Sequence, residues 1–207
     1  MHYYHIVKTL DFYNIDLVID IGANKGQFGK EIREFGYKKK LISFEPMKSA
    51  FLQLKEQSKK YPLWEVENLG FGKETSYEFL NISKNSVSSS ILQVLETSTN
   101  VNQDTKFVSK EQINLISLNE YISKNDIGDN KVFVKIDTQG FEKNIILGAE
   151  KVKNKITGFL LELSIVELYN SAALFNEMIS LLNKFGFELW SLERGFFKQK
   201  NRPNTSI

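Results

Sequence analysis

The residues best equipped for chemistry stand near the ends of short apolar runs. Asp20 lies in Leu17-Val18-Ile19-Asp20-Ile21, and a turn containing Gly22, Asn24 and Gly26 follows directly. Gly22 and Gly26 let the backbone turn tightly and lie against a ligand with no Cβ in the way. Asn24, between them, visits positive φ at low cost. Asp20 can then accept hydrogen bonds from an amine or hydroxyl held in the turn. Glu45-Pro46 closes a second apolar run at 40–44, about the distance downstream expected of a ribose-binding carboxylate. A third run carries Lys135 and Asp137, which share a strand face because they are two residues apart. A lysine in a central strand must be paired or solvated, and Glu162, in Phe159-Leu160-Leu161-Glu162-Leu163, is a candidate partner. A carboxylate placed on a reacting hydroxyl is worth about two to four decades in rate as a general base. Asp137 is the first choice for that role and Glu162 the second, with Lys135 tuning a carboxylate or orienting the acceptor. Plainer readings fit each feature alone: a structural strand-to-helix turn, a helix-opening Glu, and an ion-pair network that satisfies buried charge.

Positioning these groups requires alternating strands and helices, as in a doubly wound sheet. The periodicity predicts a leading helix over 3–13, a strand over 17–21, a helix over 27–35 ended by Gly36, a strand over 40–44 and a helix over 47–58. A third strand is predicted over 64–68, inserted strands over 75–82 and 112–117, and a central fourth strand over 132–137. Helices over 143–149 and 172–185, followed by strands over 157–163 and 187–192 respectively, complete the pattern. The 83–106 stretch is rich in Ser, Asn and Thr and longer than most connections, which run about 4 to 6 residues; it reads as a candidate lid or insertion loop. The tail from Phe196 holds Pro203 and is polar, a poor interior strand, so the sheet is expected to lack its last antiparallel strand and a longer chain to be more stable and more active.

Composition narrows the function. With 207 residues, 42% hydrophobic and 25% charged, the chain reads as one domain with one substantial core. Its 27 basic and 25 acidic residues are spread along the chain, and the formal net charge of +2 points to neither nucleic acid nor an anionic membrane. The absence of cysteine excludes disulfides, thiolate metal sites and cysteine nucleophiles. His2 and His5, the only histidines, read as exposed helix residues, and no acidic cluster has calcium-loop spacing, so no metal site is expected. No apolar run is long enough to span a bilayer and the first residues lack a secretory signal's charged and apolar regions, so a cytoplasmic protein is expected.

The glycine spacing bears on the ligand. A dinucleotide fingerprint wants G-x-G-x-x-G, but the turn reads Gly22-x-x-x-Gly26-x-x-Gly29, and no G-x-x-x-x-G-K-[ST] phosphate loop is present. D-x-G-x-x-x-G is instead the first motif of class I methyltransferases. The alternatives that remain are an NAD(P)-dependent reductase and a non-catalytic nucleotide-binding module. The latter has no need of a polar pair at the fourth strand.

Val18-Ile-Asp-Ile-Gly-Ala-Asn-Lys-Gly-Gln-Phe28, Phe44-Glu45-Pro46, Asn68-Leu69-Gly70-Phe71-Gly72, Ser88-Ser89-Ser90, Lys135-Ile136-Asp137-Thr138-Gln139-Gly140-Phe141-Glu142 and Leu147-Gly148-Ala149 together resemble the FkbM family of S-adenosylmethionine-dependent methyltransferases. The resemblance implies a Rossmann-like class I methyltransferase fold, S-adenosylmethionine as methyl donor, and a saccharide or small secondary-metabolite acceptor methylated on a hydroxyl oxygen. Residues and resemblance together nominate Asp20, Gly22, Ala23, Asn24, Gly26, Phe28, Glu45, Pro46, Gly70, Ser89 and Asp137 for cofactor binding. They nominate Asp137, Lys135 and Glu162 for catalysis, with Glu142 stabilising a helix start and Tyr169 bordering the acceptor pocket. Gln139 departs from the pattern, standing where many family members carry Glu.

Overall fold

The computed structural model describes residues 2–84, 89–93, 107–125 and 127–192. Ser88, most of the 83–106 segment, residues 194–197 and the tail with Pro203 lie outside the described residues. In chain order the elements are α1 (His2–Phe12), β1 (Leu17–Ile21), α2 (Gln27–Glu34), β2 (Lys40–Phe44), α3 (Lys48–Ser58) and β3 (Trp64–Glu67). They continue through β4 (Gly70–Gly72), β5 (Ser76–Ser83), β6 (Phe107–Ser117) and α4 (Leu118–Lys124). The last are β7 (Val132–Ile136), α5 (Glu142–Leu147), β8 (Ile156–Leu161) and α6 (Phe175–Phe185).

Five strands form a sheet of order β3-β2-β1-β7-β8 in which every neighbouring pair is parallel. Parallel strands must be covered on both faces, which is why β1 and β7 are apolar at nearly every position. Leu17, Ile19 and Ile21 pack with Leu118, Ile122, Ile145 and Met178 of α4, α5 and α6. Val18 turns the other way, into Ile6, Leu10, Phe28, Ile32 and Leu54 of α1, α2 and α3. Strand alternation puts Asp20 on Val18's face. Because β1 lies between β2 and β7, the winding reverses there, and the carboxyl ends of these strands bound the crevice where open α/β sheets take ligands.

A second sheet, β4-β6-β5, pairs β6 parallel to β4 and antiparallel to β5. Its Leu80, Ile113 and Leu115 pack on Met47 and Ala50 at the start of α3. The end of α5 meets β4 closely: a Cβ on Gly148, the C-cap of α5, would stand 2.2 Å from the Gly72 carbonyl oxygen.

Several boundaries differ from expectation. Strand β6 starts at Phe107 rather than 112, because its polar first half is held by the ladder with β5 rather than by burial. Helix α4, absent from the expected pattern, starts with Ser117 Oγ accepting the Glu120 N–H at 3.1 Å. Ser117-x-x-Glu120 is a capping-box spacing, the sequence signal for this helix. No strand forms over 187–192. Phe187 packs edge-on to Phe159 with centroids 4.9 Å apart, but Leu189, Trp190 and Leu192 remain exposed. Among the described residues no strand pairs with that segment: apolar alternation shows which side seeks burial, and a strand also needs a backbone partner. Among the described residues, no helix is long and apolar enough to cross a membrane.

Candidate active site

A cleft opens at the carboxyl ends of β1, β2 and β7. Gly22, Asn24, Glu45 and Pro46 line it from β1 and β2, and Asp137, Thr138 and Gln139 line it from β7. Phe71, Leu80, Ile91, Ile113, Leu115 and Phe141 make an apolar wall, and Gly70 and Ser89 also face the space. The cleft therefore has a polar end and an apolar end.

Not every nominated residue reaches it. Asp20, Ala23, Gly26, Phe28, Lys135 and Glu162 do not line the cleft. Ala23 is buried among the α1–α3 core residues. Gly26 is glycine for packing rather than for a ligand, since a Cβ there would come within 2.9 Å of Leu54 Cδ1 and 3.2 Å of the Trp64 ring. Gly22 lines the cleft, yet its missing Cβ is also a matter of fold: at φ +75 a Cβ would stand 1.9 Å from the Asp137 carbonyl oxygen. Phe28 lies under the ammonium of Lys135, 5.6 Å from Nζ to its ring centroid.

Asp20 belongs to a buried polar line running across four strands. It is fully buried, and its in-register neighbours are Ser43 on β2 and Lys135 on β7. Trp64 Nε1 donates to Ser43 Oγ at 3.0 Å, and Ser43 Oγ donates to Asp20 Oδ2 at 2.9 Å. Lys135 Nζ stands 3.1 Å from Asp20 Oδ1 as an ion pair rather than an aligned hydrogen bond. The ammonium also donates to the Gly22 carbonyl at 3.2 Å and lies 3.7 Å from Asp137 Oδ2. Burial works to lower the Lys135 pKa, but Asp20 and Asp137 outweigh it and leave it raised, so the side chain is a cation. Asp20 thus anchors the cation that ties the Gly22 turn to Asp137.

Glu45 faces the cleft from the opposite side. Its Oε2 accepts the Asn24 N–H at 2.8 Å and its Oε1 accepts the Met47 N–H at 2.9 Å. Asn24 adopts φ 49, the left-handed conformation read from its type, and this presents its N–H to Glu45. Burial pushes the Glu45 carboxyl up to about 7 against the pull of these two donors. Each oxygen keeps a lone pair, which suits the two hydroxyls of a vicinal diol.

Asp137 follows β7 and keeps part of its side chain in solvent. Its Oδ1 accepts from Gln139 Nε2 at 2.9 Å, and Gln139 Oε1 accepts from the Tyr169 hydroxyl at 2.9 Å. Glu142 reaches back from α5: its Oε1 accepts from Thr138 N at 3.0 Å, Gly140 N at 3.1 Å and Thr138 Oγ1 at 3.2 Å. It braces the loop that follows Asp137 as well as opening the helix, and burial raises its pKa despite these donors. Glu162 is exposed beside Asp137, whose negative charge, with partial burial second, raises the Glu162 pKa. Among the described residues no group of three or more His, Cys, Asp or Glu side chains is arranged to hold a metal ion.

Sequence reasoning missed the apolar wall. Leu80, Ile113 and Leu115 were legible as the inward positions of inserted strands, but their distance in sequence from the glycine turn hid that they face it.

A parallel sheet with β1 at its centre, a glycine turn after β1 and a carboxylate just beyond β2, all on one cleft, make a Rossmann-like α/β domain with a nucleotide-type site at its switch point. Residues 20–189 match the family model described as the methyltransferase FkbM domain. The chain belongs to this family, and S-adenosylmethionine is the methyl donor that goes with it. No curated protein matches the sequence. Among solved structures, the plantazolicin methyltransferase BamL, crystallised with a triazolic desmethylPZN analogue and SAH, is 13% identical, with a TM-score of 0.48 over 88% of this chain. This chain spans 60% of that one.

Proposed function

We propose that this chain transfers the methyl group of S-adenosylmethionine to a hydroxyl oxygen of a saccharide or small metabolite. The observation that carries this reading is the placement of Glu45 and Asp137 on one cleft, across the Gly22 turn, with an apolar wall beside them. These residues fit the donor: Glu45 would accept the ribose hydroxyls, Leu80, Ile113 and Leu115 would cover the purine, and the Gly22–Asn24 turn would hold the rest. Bound there, S-adenosylmethionine supplies a methyl carbon on a positively charged sulfur that departs as a neutral thioether.

The chain's task is to hold the acceptor oxygen in line with that carbon, and positioning of this kind is worth about 7 to 11 kcal/mol. Asp137, part-exposed at the polar end, takes the proton from the acceptor hydroxyl as its oxygen bonds to carbon. Lys135 acts from behind, fixing Asp137 and the Gly22 carbonyl from a site anchored by Asp20. Glu162, beside Asp137, is the second candidate for the base.

Calorimetry with S-adenosylhomocysteine, NAD and NADP tests the cofactor; heat only with a dinucleotide would favour a reductase and sink this reading. Labelled donor offered with a panel of glycans and small alcohols identifies the acceptor class. Asp137→Asn is expected to retain S-adenosylhomocysteine affinity and to lose turnover by about a hundredfold or more. Unchanged turnover would move the base to another residue.

A further inference from the structure

Asn81, in β5, is buried at 2% exposure and takes no part in the ion-pair line of Asp20. Its side-chain nitrogen donates to three carbonyls, those of Ser90 at 3.1 Å, Ile91 at 3.2 Å and Leu92 at 3.4 Å. An amide nitrogen carries two hydrogens, so the three acceptors share them, and the amide oxygen could not take its place among carbonyls. The backbones of Asn81 and Ser90 also exchange two N–H to carbonyl bonds, at 2.9 and 3.1 Å, which adds Ser90 to the outer edge of β5.

Residues 89–93 thereby form one side of the cleft. Alternation about the bridge turns Ser89 and Ile91 to the side of Leu80, and all three line the cleft. Ser90, fully buried, donates its hydroxyl to the Gln139 carbonyl at 2.7 Å and accepts the Leu92 N–H at 3.0 Å. Leu92 Cδ1 lies 3.3 Å from where a Cβ on Gly140 would stand, and the Gln93 carbonyl accepts the Asn170 N–H at 2.8 Å. The segment thus ties the second sheet to the loop after β7. Ile91 itself belongs to no helix or strand, so its place in the wall depends on these ties.

We propose that Asn81 is a positioning residue for the methyl donor, an inference that rests on the methyl-transfer reading above: its amide clamps residues 89–93 so that Ile91 completes the apolar wall and Ser89 faces the cleft. Buried carbonyls need donors. Without the Asn81 nitrogen, those of Ile91 and Leu92 are best satisfied by water, which the segment meets by lifting from β5. Ile91 then leaves Leu80, Ile113 and Leu115, and the donor loses apolar contact.

The test uses the whole chain. Asn81→Asp keeps the side chain's shape but turns oxygen toward those carbonyls, and S-adenosylhomocysteine affinity by calorimetry is expected to fall about tenfold or more. Without ligand, amide hydrogen exchange at 89–93 is expected to accelerate about tenfold in the variant while β1 and β7 keep their protection. In wild type, S-adenosylhomocysteine is expected to slow exchange at 89–93. Unchanged affinity in the variant overturns the proposal, as does exchange that rises equally in β1 and β7, the mark of a merely structural residue. Should the variant fail to fold, wild-type exchange at 89–93 that the ligand leaves unmoved overturns it alone. Wild type that fails to bind S-adenosylhomocysteine would defeat the methyl-transfer reading and this proposal together, whereas wild-type binding that the variant matches defeats the proposal only.

Discussion

Replacing Lys135 with methionine removes a charge while keeping an unbranched stem of similar length, and it isolates what the buried ion pair does. Asp20 is fully buried, and the Lys135 ammonium, 3.1 Å away, is the cation beside its Oδ1. Ser43 still serves Oδ2 in the variant, but the Asp20 charge stays in a low-dielectric site with no counter-ion. Stranding a buried charge costs about 3–5 kcal/mol. Against a total stability of roughly 5–15 kcal/mol this is a large fraction. At about 2–4 °C per kcal/mol for a domain of this size, Tm falls by roughly 6–20 °C. The Gly22 carbonyl also loses its donor, so the turn loosens along with the pair.

The assay is thermal and urea denaturation of wild type, Lys135→Met, and Asp20→Asn/Lys135→Met. The double variant no longer buries a charge, and it should recover about 2 kcal/mol of the loss. The pH dependence has a defined sign. Lys135 has a folded-state pKa raised above its ordinary 10.5, so its contribution is complete below 10.5 and lost as pH rises through the folded value. The part of the gap between wild type and Lys135→Met that Lys135 ionisation supplies is therefore lost only in alkali. A single-variant loss below about 1 kcal/mol, or a double variant no more stable than the single, would refute the reasoning.

Gly22→Ala should cost about 2–4 kcal/mol and weaken S-adenosylhomocysteine binding more than about tenfold by calorimetry, because the new Cβ meets the Asp137 carbonyl at 1.9 Å and φ is +75. Gly36→Ala, at φ +109 with no atom within 4 Å of the added Cβ, is the control and leaves binding unchanged. Glu45 must be ionised to accept two hydroxyls, and its carboxyl is pushed up to about 7, so affinity near pH 6 should be about tenfold below that near pH 8 and Glu45→Gln should abolish the trend. Stability runs the opposite way: the raised folded pKa makes the Glu45 contribution complete below 4.5 and lost as pH rises through about 7, which urea titration of wild type against Glu45→Gln would show.

Much of this could be read from local pattern. Continuous apolar runs announced the parallel strands, and Pro46 and the glycines marked where each strand had to stop, which put Glu45 and Asp137 at carboxyl ends. Asn24 announced a left-handed turn by its residue type. Less could be read about what each turn residue touches. Gly26's residue type suits a ligand-facing turn, but Leu54 and Trp64, from α3 and β3, occupy the space beside it. Asp20's place beside the glycine turn suits a ligand-gripping carboxylate, but strand alternation turns it with Val18 toward Ser43 and Lys135.

The sequence by itself determined the alternating strands and helices of the five-stranded sheet, the family, and the strand ends that carry acids, because these follow from residue type and short-range periodicity. Tertiary structure alone decided which acid meets the cleft, that a second sheet supplies its apolar wall, and that the Gln139 amide points its nitrogen at Asp137. Those outcomes depend on contacts between segments far apart in the chain, such as Gly22 against Asp137 and Tyr169 against Gln139, where geometry rather than composition selects the partner.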